Sequence, residues 1–168
     1  GAYGNSAKSY RFRFYSGWNV GDHASIVFEN LDLSTTTNNE VMFSHAYAQY
    51  SSGTNDELEV LVSTDCGLSW TSLFDQSGSN LSTTSPYSGG YYYPQIDEWT
   101  TTFLDLSAFD GQTSVMLKFK ATSDDGNNLY VDDISVGENL SSINEFNSLS
   151  SLKIYPNPIS NSGTLEFS

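Results

Sequence analysis

Apolar and polar residues alternate over many short stretches of this chain, and the stretches are separated by turns rich in Gly, Asn, Asp and Ser. In residues 10–15, Phe12 and Phe14 share one face and the other face is solvated, as in a half-buried strand. Further strands are expected over 25–34, 40–50, 56–63, 70–74, 99–107, 115–121 and 129–136. In 40–50, Val41, Phe43, His45 and Tyr47 lie on one face, and the small Ser44, Ala46 and Ala48 lie on the other, where a close neighbour can pack. In 56–63, Leu58, Val60 and Val62 face a core, with Glu57 and Glu59 opposite. The short loop between these two segments predicts that they form a hairpin. Residues 75–94 form a Ser/Gly/Tyr-rich connection ending in Tyr91-Tyr92-Tyr93-Pro94, and a loop of that length in a compact domain is functional or mobile. No stretch has a useful helical period. The expected fold is all-β, a two-sheet antiparallel jelly-roll sandwich over residues 1–137.

Residues 126–136 pose a problem of charge. By the two-residue period, Leu129 and Val131 share one face, and Tyr130, Asp132 and Ile134 share the other. In a regular strand one of the adjacent carboxylates of Asp132 and Asp133 must point inward, and a buried carboxylate needs a cation or several donors. After Val136 the character changes. Residues 138–151 read as a polar linker, and 152–168 begin another alternating stretch too short to hold a core of its own.

Composition narrows the choice of partners. The chain has 6 basic and 20 acidic residues among 168, a net charge of −14. That balance argues against nucleic acid and against anionic membrane surfaces. It suits divalent cations, because calcium takes hard oxygen ligands. Asp132 or Asp133, with Asp56 across the sheet or Asp22 in an early loop, are the candidate calcium ligands; the alternative is that they cap turns and accept backbone N–H bonds. Residues 124–127 lack the spacing of an EF-hand loop. Tyr91, Tyr92, Tyr93, Trp99 and Trp18 are the candidate ligand-binding aromatics, because sugar faces stack on such rings; the alternative places them in the core or in cross-strand pairs.

Catalysis is not expected. The one cysteine, Cys66, sits in a polar turn without cationic neighbours, and a single cysteine makes no intrachain disulfide. His23 and His45 are too far apart for a helical metal motif. Asp97 and Glu98 are adjacent, so on a strand they point to opposite sides. No apolar run approaches the length of a membrane span, so no membrane insertion is expected.

Two sets of residues carry a resemblance. The tail, Leu152-Lys153-Ile154-Tyr155-Pro156-Asn157-Pro158 after a Ser-rich linker, resembles the opening of the C-terminal sorting domain of type IX secretion cargo in Bacteroidetes-type bacteria. The body resembles the MAM-like jelly-roll modules of the same secreted proteins, typified by the cleaved-adhesin domains of gingipains and haemagglutinins. The residues concerned are 43–48, 56–60 and 63–67 with Trp70, then Trp99 with 104–107, and 128–134. The resemblance implies a non-catalytic adhesive or accessory module of a secreted or cell-surface bacterial protein, binding protein or glycan partners through its loops. It implies the type IX translocation and attachment machinery as a further partner, with Tyr155, Pro156, Asn157 and Pro158 as the sorting signal. It also implies a structural calcium joining N-terminal acidic residues to the aspartates near the end, and a further strand with an acidic, Trp-containing loop ahead of Gly1. The competing expectation is a carbohydrate-binding module of a secreted polysaccharide-degrading enzyme.

Overall fold

The computed structural model describes residues 1–142 and, beyond them, the strands Leu152–Tyr155 and Thr164–Phe167. Eight strands build the body: β1 (Tyr10–Phe12), β2 (His23–Leu31), β3 (Asn39–Tyr47), β4 (Glu57–Ser63), β5 (Thr71–Ser77), β6 (Thr100–Asp105), β7 (Val115–Thr122) and β8 (Leu129–Glu138). They form two four-stranded antiparallel sheets, ordered β1-β8-β3-β6 and β2-β7-β4-β5. The longest helix of the body is the single turn α1 (Gly78–Leu81). The two tail strands pair antiparallel with each other as β9 (Leu152–Tyr155) and β10 (Thr164–Phe167).

The inner faces of the two sheets meet in one apolar core. Val41, Phe43 and Tyr47 of β3 and Leu129 and Val131 of β8 face Leu58, Val60 and Val62 of β4 and Leu117, Phe119 and Ala121 of β7. Strand β7 alternates buried and half-buried over its whole length, as a sandwich strand with one wet face must. Phe12 and Phe14 enter the same core. The far half of β3 is buried on both sides. Its small face, with Ala46 and Ala48, is covered by a second apolar cluster of Ala2, Tyr92, Trp99 and Tyr130. Small side chains there let these large rings lie close against the sheet.

Two expectations from the pattern are corrected. The segments 40–50 and 56–63 are not a hairpin. Strand β3 pairs with β8 and β6, β4 pairs with β7 and β5, and the connection between them crosses from one sheet to the other. Strand β8 is also not regular. Met42 lies opposite Ser135 and Ser44 opposite Asp132, so Asp133 and Ile134 together face Phe43. Asp133 takes a left-handed φ of 50° at this β-bulge. The extra residue resets the alternation. Leu129 and Val131 are in the core, and Ile134 and Val136 pack against it, while both aspartates are only half-buried. Asp132 therefore shares a face with Tyr130 and not with Ile134, and neither carboxylate enters the core.

Candidate functional site

The carboxylate that does lie inside is Asp56, fully buried just ahead of β4. Its Oδ1 accepts the backbone N–H groups of Asp124 (2.7 Å) and Gly126 (3.2 Å). Its Oδ2 accepts the N–H of Asn127 (2.9 Å) and the Tyr47 hydroxyl (2.8 Å). The turn between β7 and β8 thus closes around one side chain. Gly126 has to be glycine, because a Cβ there would collide with the Asp56 carboxylate. Burial pushes the Asp56 carboxyl above its ordinary range against the pull of these donors.

Asn127 passes the order of this turn to the tyrosine loop. Its side-chain oxygen accepts the Tyr92 N–H (2.9 Å), and its Nδ2 donates to the carbonyls of Tyr87 (2.9 Å) and Gly90 (3.1 Å). The Tyr130 hydroxyl donates to the Tyr92 carbonyl (2.8 Å). At the other end of the loop, Thr83 and Tyr87 donate backbone N–H groups to Tyr47 and Gln49 at the end of β3. The connection that composition marked as functional or mobile is therefore fastened at many points. Asn127 was not singled out in the sequence; the only signal for it was the turn composition of residues 124–127.

These bonds shape a groove of about 520 Å³ lined by Thr84, Ser85, Pro86, Tyr87, Tyr91, Tyr92, Tyr93, Gln95 and Glu98. Tyr91 and Tyr93 are 42% and 59% exposed, and Tyr87 is exposed beside them. The groove's carboxylate is Glu98. It is already engaged, accepting from Thr84 Oγ1 (3.1 Å), the Tyr92 hydroxyl (3.3 Å) and the Gln95 N–H (2.8 Å).

The sequence-derived aromatics divide. Tyr91 and Tyr93 present rings to solvent at the groove. Tyr92 backs it, with its ring buried in the outer cluster. Trp99 is 7% exposed and packs edge-on to Tyr130, so it holds the cluster together and offers no face to a ligand. Trp18 lies apart, edge-on to Phe14 with ring centroids 5.4 Å apart and packed against the main core.

The four aspartates fall in three separate places, with only Asp132 and Asp133 side by side. Asp56 has both oxygens taken by protein donors. Asp22 is exposed and accepts from the Asn19 backbone and side chain. Asp132 accepts the Ala2 N–H (2.8 Å) and the Ser6 hydroxyl (2.9 Å) through Oδ2. Burial works to raise the Asp132 pKa, but these bonds outweigh it and hold the carboxyl below its usual range. Asp133 is pushed up by burial and by its charged neighbour Asp132. Among the described residues no three His, Cys, Asp or Glu side chains converge as metal ligands.

No family model matches the chain, and no curated protein does. Solved structures do. The K3 cleaved adhesin domain of Lys-gingipain from Porphyromonas gingivalis W83 matches with a TM-score of 0.53 at 15% identity, over 80% of this chain and 76% of that domain. The K1 cleaved adhesin domain of the same protein matches at 0.48 and 14%, over 71% of this chain and 66% of that one. A carbohydrate-binding module specific for non-crystalline cellulose matches at 0.44 and 12%, over 78% and 74%. At these identities the likeness is one of fold, and the K3 domain carries it: both chains are β-sandwiches of this type. The tail is a separate matter. The first residues of the expected linker are tied to the sandwich, Asn139 N–H to the Asn38 carbonyl and Ser141 to the Glu40 carboxylate. Residues 143–151 and Pro156, Asn157 and Pro158 lie outside the described residues, and Tyr155 ends β9.

Proposed function

We propose that this chain is a non-catalytic adhesive module of a secreted, cell-surface bacterial protein, holding an extracellular protein or glycan at the tyrosine groove. The observation that carries the reading is the pairing of exposed Tyr91 and Tyr93 rings with a groove carboxylate, Glu98, whose oxygens are bound by Thr84, Tyr92 and Gln95. The groove offers apolar faces and hydrogen-bonding edges but no paired acid and base. The sandwich shared with the cleaved adhesin K3 domain agrees with this reading. The same exposed rings favour the second reading, a carbohydrate-binding module of a polysaccharide-degrading enzyme. A glycoside hydrolase or lyase domain in the same protein favours that reading, and a protease or repeat-adhesin domain favours the first.

Binding to arrayed glycans and to extracellular proteins tests the groove. Tyr91→Ala and Tyr93→Ala are expected to weaken saturable binding at least about tenfold each, the usual scale for an aromatic anchor. Because both rings are exposed, the variants should melt within a degree or two of the parent. Unchanged binding in both variants would place the interaction elsewhere on the module.

Export is proposed through the tail, with the type IX translocation and attachment machinery as partner and Tyr155, Pro156, Asn157 and Pro158 as the signal. A reporter fused to residues 138–168 should leave a type IX-competent host and stay inside a translocation mutant. No described helix is long and apolar enough to cross a membrane. Structural calcium is proposed at the adjacent Asp132 and Asp133, since both Asp56 oxygens are bound by protein donors and Asp22 stands in a separate loop.

A further inference from the structure

In a chain with 20 acidic and 6 basic residues, a cation should seldom lack a carboxylate. Yet the salt bridge found among the described residues is a single one, Lys120 to Glu59. Arg11 and Arg13 are both exposed and, like Lys8 and Lys118, stand in no ion pair with any described carboxylate. Their position is set by their neighbours. Phe12 and Phe14 point into the main core, Arg11 projects from the opposite face of β1, Arg13 is exposed just beyond it, and Tyr15 follows in the turn 15–17.

That face is continuous with the tyrosine groove. Arg11 pairs in register with Tyr130, whose hydroxyl holds the Tyr92 carbonyl. Arg13 borders a small pocket with Ser16, Gly17 and Trp18. Ser16 Oγ is 3.0 Å from the Tyr91 hydroxyl, and the Tyr15 ring meets Tyr91 edge-on with centroids 4.7 Å apart. The rings run on from Tyr91 to Tyr93 at 6.5 Å and from Tyr15 to Tyr50 at 5.8 Å. A band of tyrosines longer than one sugar ring is thus edged by two guanidinium groups without carboxylate partners.

Resting on the groove reading, we propose that this face binds a glycan whose chain carries isolated carboxylated sugars. The tyrosines take the apolar faces of the sugar rings, and Arg11 and Arg13 take the carboxylates as bidentate forks. The net charge of −14 repels a densely charged polyanion at long range, so carboxylates spaced among neutral sugars fit better than a sulfated polymer.

The test uses the full chain and three pairs of probes in calorimetry: a partly methyl-esterified oligogalacturonate against its full methyl ester, sialyllactose against lactose, and, as the dense polyanion, heparin against a neutral glucan. In at least one of the first two pairs, the acid should bind at least about tenfold more tightly than its uncharged counterpart, a gap that shrinks with added salt. Which pair shows it tells a uronate chain from a terminal acidic sugar. Arg11→Gln and Arg13→Gln should close the gap without changing the melting temperature, whereas Tyr93→Ala should weaken acid and uncharged forms alike. Equal affinity for acid and uncharged forms overturns the proposal while leaving the groove reading standing. So does binding of heparin in preference to both carboxylated probes. Binding of none of these glycans, with a protein partner still lost in Tyr93→Ala, also overturns it.

Discussion

Replacing Asp56 with alanine is expected to cost about 4 kcal/mol of stability, with a fall in melting temperature of about 10 °C for a domain of this size. The loss does not come from the charge, which burial already disfavours. It comes from the donors left behind: three backbone N–H groups of the β7–β8 turn and the Tyr47 hydroxyl, all pointed at a void. Each orphaned buried donor costs about 1–3 kcal/mol, and water entering the space recovers part of it. Tyr47→Phe removes one donor and should cost only about 1 kcal/mol. Because Asn127 hangs the tyrosine loop from the same turn, Asp56→Ala should also weaken binding at the groove, at temperatures where the variant is still folded. Denaturant and thermal melts measure the first effect; a loss under 1 kcal/mol would mean that Asp56 does not organise the turn.

Asp56 itself is not expected to take part in calcium binding, because in the parent both its oxygens already accept hydrogen bonds from the protein. A cation bound only by the folded chain adds about 2.7 kcal/mol at a hundredfold excess over its dissociation constant. If Asp132 and Asp133 anchor one, melts with calcium and with a chelator differ by several degrees, and Asp132→Ala removes the difference. Identical melts leave Asp132 as the acceptor for the Ala2 N–H and Ser6 hydroxyl.

Acidification should unfold the sandwich through His45. Burial holds its pKa down at about 4, against 6.5 for the free side chain. Nε2 donates to the Leu81 carbonyl at 3.3 Å, Nδ1 has no partner, and Phe43 and Phe74 lie against the ring. The neutral imidazole fits this site and the imidazolium does not. Between pH 6.5 and 4 the unfolded chain takes up a proton that the folded chain refuses. Stability that is complete above pH 6.5 is therefore lost as the pH falls, by about 3 kcal/mol over the window. Asp56 acts with the opposite sign, since its raised pKa lets the folded chain take up a proton more readily than the unfolded one. Comparison with His45→Phe separates the two. The variant should lose stability less steeply between pH 6.5 and 4, and parallel curves would remove His45 from the account.

The faces of single strands were legible in the sequence because alternation is local. Phe12 and Phe14, the apolar set of β4 and the apolar set of β7 all lie where the two-residue period puts them. The small face of β3 correctly announced a close neighbour, though not that Trp99 and Tyr92 would supply it. The pattern also marked the tyrosine loop, and the turn residues 124–127 that later prove to hold it.

What the alternation could not carry was the choice of partner across the sheet. Whether β3 folds back on β4 or crosses away from it depends on which strands β7 and β8 bring beside them, and those lie more than fifty residues downstream. The bulge at Asp133 is a mismatch between two strands and exists only once they are paired. For the same reason the sequence points to β8 for the buried carboxylate, because two aspartates are visible there side by side. It sits instead at Asp56, whose donors come from a turn some seventy residues away. Likewise Trp99 and Tyr93, similar aromatics six residues apart, end at 7% and 59% exposure. The chain by itself determined the sandwich and its facing residues, because burying one side of each strand is a local demand. The tertiary structure alone decided which polar and aromatic side chains were covered and which stayed available, because that depends on what the distant chain lays over them.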